Sequence, residues 1–385
     1  MQYFPLVWAA LSRRRLRSVL TFLSIAVAFL LFGVLRGVSA GFNALIGSMS
    51  DTRLYVEDRE SYTRWMPIAM RAQIASVPGV QTVMPYAYFG GYYQDPKNQL
   101  GAGALDFSQL PKIFPEIELP RAQWDAVIKS RTGVLVGAKL ARKFGWKVGE
   151  RIPIGTPIWQ RKNGSYDWAF DIAGIYRSSS PAVPDNRLWL NIDLFERAQT
   201  ALPDQASQFI VAVEKSANAG RICRAIDARF KSSPYPTLCQ TEKAQARAQL
   251  RLIGNIRFMV NAIVGAVLFT LLALTANTMM QSVRERTSEL AVLKTIGYTN
   301  GVVAALVALE ALLLSVSAAL CGLLPAIFAF PRVFASLGIG AGALLLPPSV
   351  VLDGLSLAVG LALVSSVLPV WRAVRLDVAT ALAVR

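Results

Sequence analysis

The stretch FMVNAIVGAVLFTLLALTANTMMQSV, Phe258–Val283, carries no charged side chain. A helix rises about 1.5 Å per residue, so roughly 20 apolar residues cross the hydrocarbon core of a bilayer. Three further runs read the same way: VLTFLSIAVAFLLFGVL (Val19–Leu35), Gly301–Phe330, interrupted only by Glu310, and Gly354–Trp371. Composition agrees: 54% of the 385 residues are hydrophobic and 17% are charged. A soluble domain carries about 25% charged residues, so lipid must solvate part of this chain. The same balance excludes intrinsic disorder, which needs low hydrophobicity and high net charge.

The first run follows the basic cluster Arg13, Arg14, Arg15 and Arg17 and precedes the small residues Val38, Ser39 and Ala40. That order also fits a cleaved signal peptide. The apolar run exceeds the usual length of about 7–15 residues, and Arg36 falls just before the cleavage point, so it is read as a retained helix. The chain carries a net charge of +16. On a soluble protein this would suggest nucleic acid, but here the basic groups flank apolar runs, the mark of a cytoplasmic membrane face facing anionic lipid. The N-terminus, Arg284–Asn300 and the C-terminal tail are short and basic, which puts all three in the cytoplasm. The resulting map is a cytoplasmic segment 1–18, spans at 19–40, 255–283, 301–330 and 351–371, an external domain at 41–254, a cytoplasmic helix at 284–300, an external loop at 331–350 and a tail at 372–385.

The external domain reads as mixed α/β. MRAQIASVPGVQTVMPYAYFG predicts a helix, a break and a strand; GVLVGAKLARKFGWKVGERIPIG predicts a strand, a helix over Ala138–Phe144, a Gly turn and a strand. WAFDIAGIYRSS is a further strand, RLWLNIDLFERAQT a strand then a helix, and Gln208 to Cys239 a β-α-β unit. The segment EKAQARAQLRLIGNIRFMV predicts a helix that continues out of the second span as a stalk. No catalytic constellation is visible. The chain has no histidine, which excludes a His triad and a His metal site, and its three cysteines are too few for a four-Cys zinc site. Asp167 and Asp171 read as surface carboxylates. Cys223 and Cys239 would close a loop of about 15 residues as a disulfide, but spacing alone does not place their Cα atoms within reach. Cys321, midway along an apolar helix, reads as a packing residue.

SVRERTSELAVLKTIGYTNGVV, Ser282–Val303, predicts a short amphipathic helix between two spans. Glu285, Glu289 and Leu293 share one face, Arg286 and Leu290 the adjacent row, and Leu290, Val292, Leu293 and Ile296 form an apolar stripe. Gly297 is placed to end the helix in the left-handed conformation. Such a helix can lie in the headgroup plane or in a protein groove.

The pattern Arg284-Glu285-Arg286, Glu289 to Lys294, Ile296-Gly297 and Glu310 to Leu314 resembles the signature of FtsX/MacB-type ABC transporter permeases, the type VII or mechanotransmission class. LPVWRAVRLDVATALAVR resembles that family's closing segment through Pro369, Trp371, Arg372 and Ala373, with Val378 where the family has Pro. The Arg-rich opening, GVLVGAKLARKFGWKVGERIPI and FDIAGIY are similar to its first helix and its MacB-like periplasmic domain. The resemblance implies an α+β membrane protein, four transmembrane helices with a large periplasmic mixed α/β domain between the first and second, in the bacterial inner membrane. It implies a non-catalytic subunit without a fused nucleotide-binding domain, consistent with the lack of a GxxxxGK[ST] loop. ATP and Mg would bind a separate ATPase subunit dimer; the chain itself would bind no cofactor and no metal.

The implied ATPase-coupling residues are Arg284, Glu285, Arg286, Glu289, Leu290, Leu293, Lys294 and Gly297. Glu310 pairs with Lys294 or the basic N-terminal segment, or else snorkels to the headgroups. Implied partners are a second permease copy or paralogue, a periplasmic adaptor (membrane fusion) protein and lipid, with no nucleic acid. Asn261, Asn277, Gly265, Ala266 and Ala273 on the second span suit close packing against another helix. The function expected is export or efflux of a substrate. The alternatives are release of lipoproteins or lipids, and FtsX-like signalling that activates a periplasmic hydrolase.

Overall fold

The computed structural model describes residues 15–214, 219–252, 256–336 and 346–375. The chain forms two compact units, Met1–Asn43 with Gly254–Arg385, and Ala44–Ile253. It opens with helix α1 (Arg15–Gly47). Residues 1–14 of the expected N-terminal segment, the joint of the stalk at 253–255, residues 337–345 of the expected external loop and the last ten residues, with Val378, lie outside the described residues.

The inserted unit holds one sheet in two parts. Strands β1 (Arg53–Asp58), β2 (Val80–Tyr88), β3 (Gln99–Leu105), β4 (Gly133–Gly137), β5 (Arg151–Gly155), β6 (Asp167–Ser178), β7 (Arg187–Asn191), β8 (Gln208–Val213) and β9 (Thr237–Thr241) carry it. In the first part the order is β9-β1-β8-β2, all antiparallel, with Tyr55 of β1 opposite Ile210 of β8 and Gln240 of β9. Helices α2 (Met70–Ala75) and α3 (Ala219–Phe230) cross between alternate strands, a split β-α-β arrangement. Alternation fixes its faces: Leu54 and Val56 point at Ile74, Ile222 and Ile226, whereas Tyr55 points the other way. The β-α-β unit read between Gln208 and Cys239 is therefore present, with β1 inserted between its two strands.

In the second part, β7-β4-β6-β5 continues through the short strand Gly91–Tyr92 to β3, and β3 pairs back onto β7 in parallel. The sheet thus closes on itself. Its interior is filled by Phe89, Trp168, Phe170, Leu188, Leu190 and Phe195, all nearly or fully excluded from solvent. The helix Ala138–Phe144 ends on Gly145 at φ +74°, the turn read from the sequence. Strand β3 and the helix Arg121–Lys129, which the sequence reading passed over, complete the unit.

Helix α4 (Glu242–Leu252) follows β9. The membrane helices are α1, α5 (Ile256–Glu285), α7 (Asn300–Ser336) and α8 (Pro348–Val374), each long and apolar enough to cross a bilayer. Between α5 and α7 lies α6 (Thr287–Thr295). Ile25, Phe29 and Phe32 of α1 pack on Leu323 and Phe330 of α7 and on Ala358 and Leu361 of α8. Close approach needs small residues: a Cβ on Gly322 would sit 2.1 Å from the carbonyl oxygen of Ala26. Pro325, Pro331 and Pro369 stand within membrane helices, where each removes one backbone donor from the helical ladder. Cys321, expected to pack inside, is exposed on the surface of α7 in the single chain.

Candidate functional site

The site is built around α6. Helix α5 ends at Glu285, and Arg286 stands between the two helices with φ −107°, outside helical geometry. That break turns the chain so that α6 lies across the ends of three membrane helices. Leu290, 3% exposed, packs on Val283 of α5, Val303 and Val307 of α7 and Ala373 of α8, with Leu293 beside it. The helix ends in a Schellman motif: the Gly297 N–H donates to Lys294 O and the Tyr298 N–H to Leu293 O, both at 3.1 Å. Gly297 takes φ +101°, a conformation that only glycine adopts cheaply.

Charged contacts hold the same corner. Arg286 Nη1 donates to Glu310 Oε2 at 3.0 Å, and Arg286 Nε to Glu289 Oε2 at 3.2 Å. The Ser282 hydroxyl donates to Glu310 Oε1 at 3.3 Å. Glu310 is 6% exposed, so its charge is compensated inside the protein rather than in water. Lys294 Nζ donates to the carbonyl oxygen of Val374 at 2.8 Å, a cation on the C-terminal end of α8 where the helix dipole favours it. Arg286 thus ties α6 to α7, and Lys294 ties it to α8. Between them an open groove of about 420 Å³ is lined by Arg286, Glu289, Leu293, Leu306 and Glu310, among others.

Two expectations are corrected here. Glu310 does not reach Lys294: Arg286 takes its carboxylate and Lys294 caps α8 instead, because Arg286 sits at the helix break facing α7. The apolar stripe does not share one face. Leu290 and Ala291 are turned into the bundle, whereas Val292 and Ile296 are 44% and 70% exposed. Leu290 is therefore an anchor of α6 rather than a surface for another protein. Arg284 and Glu285, before the break, and Ser288, after it, are exposed. Ser282, Val303, Val307, Ala373 and the Val374 carbonyl were not picked from the sequence. Val303 and Val307 could have been, since their i, i+4 spacing faces one row at the start of the third span.

In the inserted unit, Cys223 and Cys239 are bridged, their Cα atoms 4.9 Å apart, and tie α3 to β9. A second buried network was missed by sequence reasoning. Arg53, 2% exposed, donates through Nη1 to both oxygens of Glu242 at 3.0 and 3.1 Å and through Nη2 to Glu116 at 2.6 and 2.7 Å. Its guanidinium lies 4.1 Å from the Phe114 ring centre. Burial pushes the Glu242 carboxyl above the ordinary carboxylate value, and Arg53, shared between two acids, only partly offsets it. Among the described residues no cluster of Cys, Asp and Glu could hold a metal ion.

Comparison with known proteins follows the same division. Residues 18–229 match the MacB-like periplasmic core domain and residues 261–378 the FtsX-like permease C-terminal domain. Among solved structures, the periplasmic region of MacB from Actinobacillus actinomycetemcomitans is 11% identical with a TM-score of 0.39, covering 55% of this chain and 96% of that one. The extracellular domain of the noncanonic ABC-type transporter YknZ from Gram-positive bacteria is 9% identical with a TM-score of 0.35, covering 49% and 100%. A domain of a "putative Permease protein" from Porphyromonas gingivalis is 14% identical with a TM-score of 0.35, covering 50% and 90%. A search of the curated proteins found no match. The domain between the first two spans is thus a MacB-like periplasmic domain, the chain is a multi-pass membrane protein, and it belongs to the FtsX/MacB-type family of ABC transporter permeases.

Proposed function

We propose that this chain is the permease of an inner-membrane ABC transporter that converts ATP hydrolysis, carried out by a separate ATPase dimer, into movement of its periplasmic domain to export a substrate. Two permease copies and a periplasmic adaptor complete the complex in this reading. The observation that carries it is α6: a nine-residue helix anchored at once to the ends of α5, α7 and α8, while Val292 and Ile296 point away from all three. A push on the exposed ridge would be passed to three membrane helices together, because buried apolar contacts and the Arg286–Glu310 pair leave α6 little freedom to move alone. Asn261, Gly265, Ala266, Ala273 and Asn277 are all exposed on α5 in the single chain, which suits a second permease copy.

The test is substitution on the outer ridge. Val292→Asp and Ile296→Asp should leave the protein folded in the membrane and reduce both co-purification with the ATPase subunit and the stimulated hydrolysis rate. Loss of one exposed apolar anchor at an interface costs roughly 1–2 kcal/mol, or about tenfold in affinity. Normal assembly and hydrolysis with both variants would sink the coupling role of α6.

A further inference from the structure

A cavity of about 200 Å³ lies in the inserted unit between α4 and the face of the sheet that carries Tyr55. Four groups on it are without hydrogen-bond or ion-pair partners among the described residues. Arg187, the exposed first residue of β7, makes no ion pair, and the hydroxyls of Tyr55 and Tyr86 make no hydrogen bond. Gln249 of α4 likewise offers an uncommitted amide. The one acid on the cavity, Glu242, is already paired: both its oxygens accept from Arg53, and Oε2 also accepts the Ser50 N–H at 2.8 Å. The cavity therefore presents donors and one unpaired positive charge. Gln208 and Gln245 also line it, the Gln245 amide donating to Gln208 Oε1 at 3.4 Å, and the apolar part of the wall carries Trp189, standing on the same face of β7 as Arg187, two residues on, and Ile210, opposite Tyr55.

Burial pushes the phenols of Tyr55 and Tyr86 above their ordinary value, with the Glu242 carboxylate adding to the rise at Tyr55, which keeps both protonated and able to donate; Arg53 opposes the rise at Tyr55 and the Arg187 guanidinium opposes it at both. Arginine with flanking hydroxyl donors matches a carboxylate held by a fork of N–H groups, and the aromatic wall matches a flat apolar body. The volume falls below the roughly 300–1,000 Å³ of sites for drug-sized ligands, so the site fits a small molecule.

We propose that this cavity binds a small aromatic or aliphatic carboxylate, with Arg187 on the carboxyl group, Tyr55 and Tyr86 donating to it, and Trp189 against the apolar body. The ligand sits between α4 and the sheet, so its presence holds α4 against the sheet. This reading does not depend on the coupling role of α6.

The test uses the full chain in nanodiscs and benzoate as probe, with benzamide and benzylamine as the neutral and cationic counterparts. Saturation-transfer NMR should report benzoate binding, with benzamide and benzylamine weaker. Arg187→Gln should weaken benzoate by about tenfold or more, the usual weight of a charge-assisted pair, and Tyr86→Phe by a smaller factor. Lys231→Gln, on an exposed lysine away from the cavity, should change nothing. Hydrogen exchange at Gln245–Gln249 should slow with benzoate in the parent chain only. Arg187 is exposed, so its variant is expected to fold; Arg187→Lys, which keeps the charge and loses the fork, gives an intermediate affinity. Absence of benzoate binding, equal binding of benzamide, or an affinity untouched by Arg187→Gln would each overturn the assignment.

Discussion

Removing Arg286 should loosen α6 more than removing the acid it holds. In Arg286→Ala, Glu310 keeps only the Ser282 hydroxyl at 3.3 Å while remaining 6% exposed. Stranding one member of a buried ion pair costs about 3–5 kcal/mol. The Arg286 side chain is 24% exposed, so water reaches part of the site and the lower end, about 3 kcal/mol, applies. The contact with Glu289, whose side chain is 39% exposed, adds less than about 1 kcal/mol. An opening equilibrium shifted by about 3 kcal/mol is a change of roughly a hundredfold. Hydrogen exchange across Thr287–Thr295, measured in nanodiscs so that the membrane helices stay inserted, should accelerate by that order. Glu310→Gln alone should cost about 1 kcal/mol, because Arg286 retains Glu289 and the amide can still accept. The double variant Arg286→Ala/Glu310→Gln should regain about 2 kcal/mol of the loss, since no charge is then left buried. Exchange unaffected by Arg286→Ala, or a double variant whose loss is the sum of the two, would show that the pair does not hold the helix.

Gly322→Ala should lower the melting temperature of the protein in detergent, because the new Cβ meets a backbone oxygen of Ala26 and forces α1 and α7 apart; overpacking of this kind costs about 1–3 kcal/mol, and an unchanged melt would mean the two helices do not approach so closely. The periplasmic domain should be more stable in mild acid than at neutral pH. Burial raises the carboxyls of Glu57, Glu196, Glu242 and Asp227 above their ordinary values of 4.5 and 3.8, so each binds its proton more tightly folded than unfolded. That stability is complete below the ordinary values and is lost as the pH rises through the folded ones. Urea unfolding followed by exchange in the domain should show the decline, and Glu57→Gln should flatten it; stability that rises over the same range would contradict the sign.

The amphipathic stretch after the second span was legible because periodicity and turn chemistry are local properties. An end at Gly297 can be read from neighbours alone, as can the strand, helix and Gly turn of Gly133–Gly155; the break at Arg286 was not read, and the helix was expected to run through it. The direction each side faces was not. Leu290 and Ile296 are equally apolar in sequence, yet one is buried against Val303, Val307 and Ala373 and the other stands in the open. The partner of Glu310 was misread for the same reason. Choosing between Arg286 and Lys294 needs the path of the chain through the break at Arg286, and spacing along one helix does not contain it.

Sequence by itself determined the four spans, the mixed α/β class of the inserted domain and the family, because these rest on composition, length and short motifs. Only the tertiary structure decided the closure of β3 onto β7, the Cys223–Cys239 bridge, and the gathering of Arg53 with Glu116 and Glu242. Those pairings join residues far apart in the chain, and the free energy that selects them comes from packing and burial, which exist only once the chain has folded.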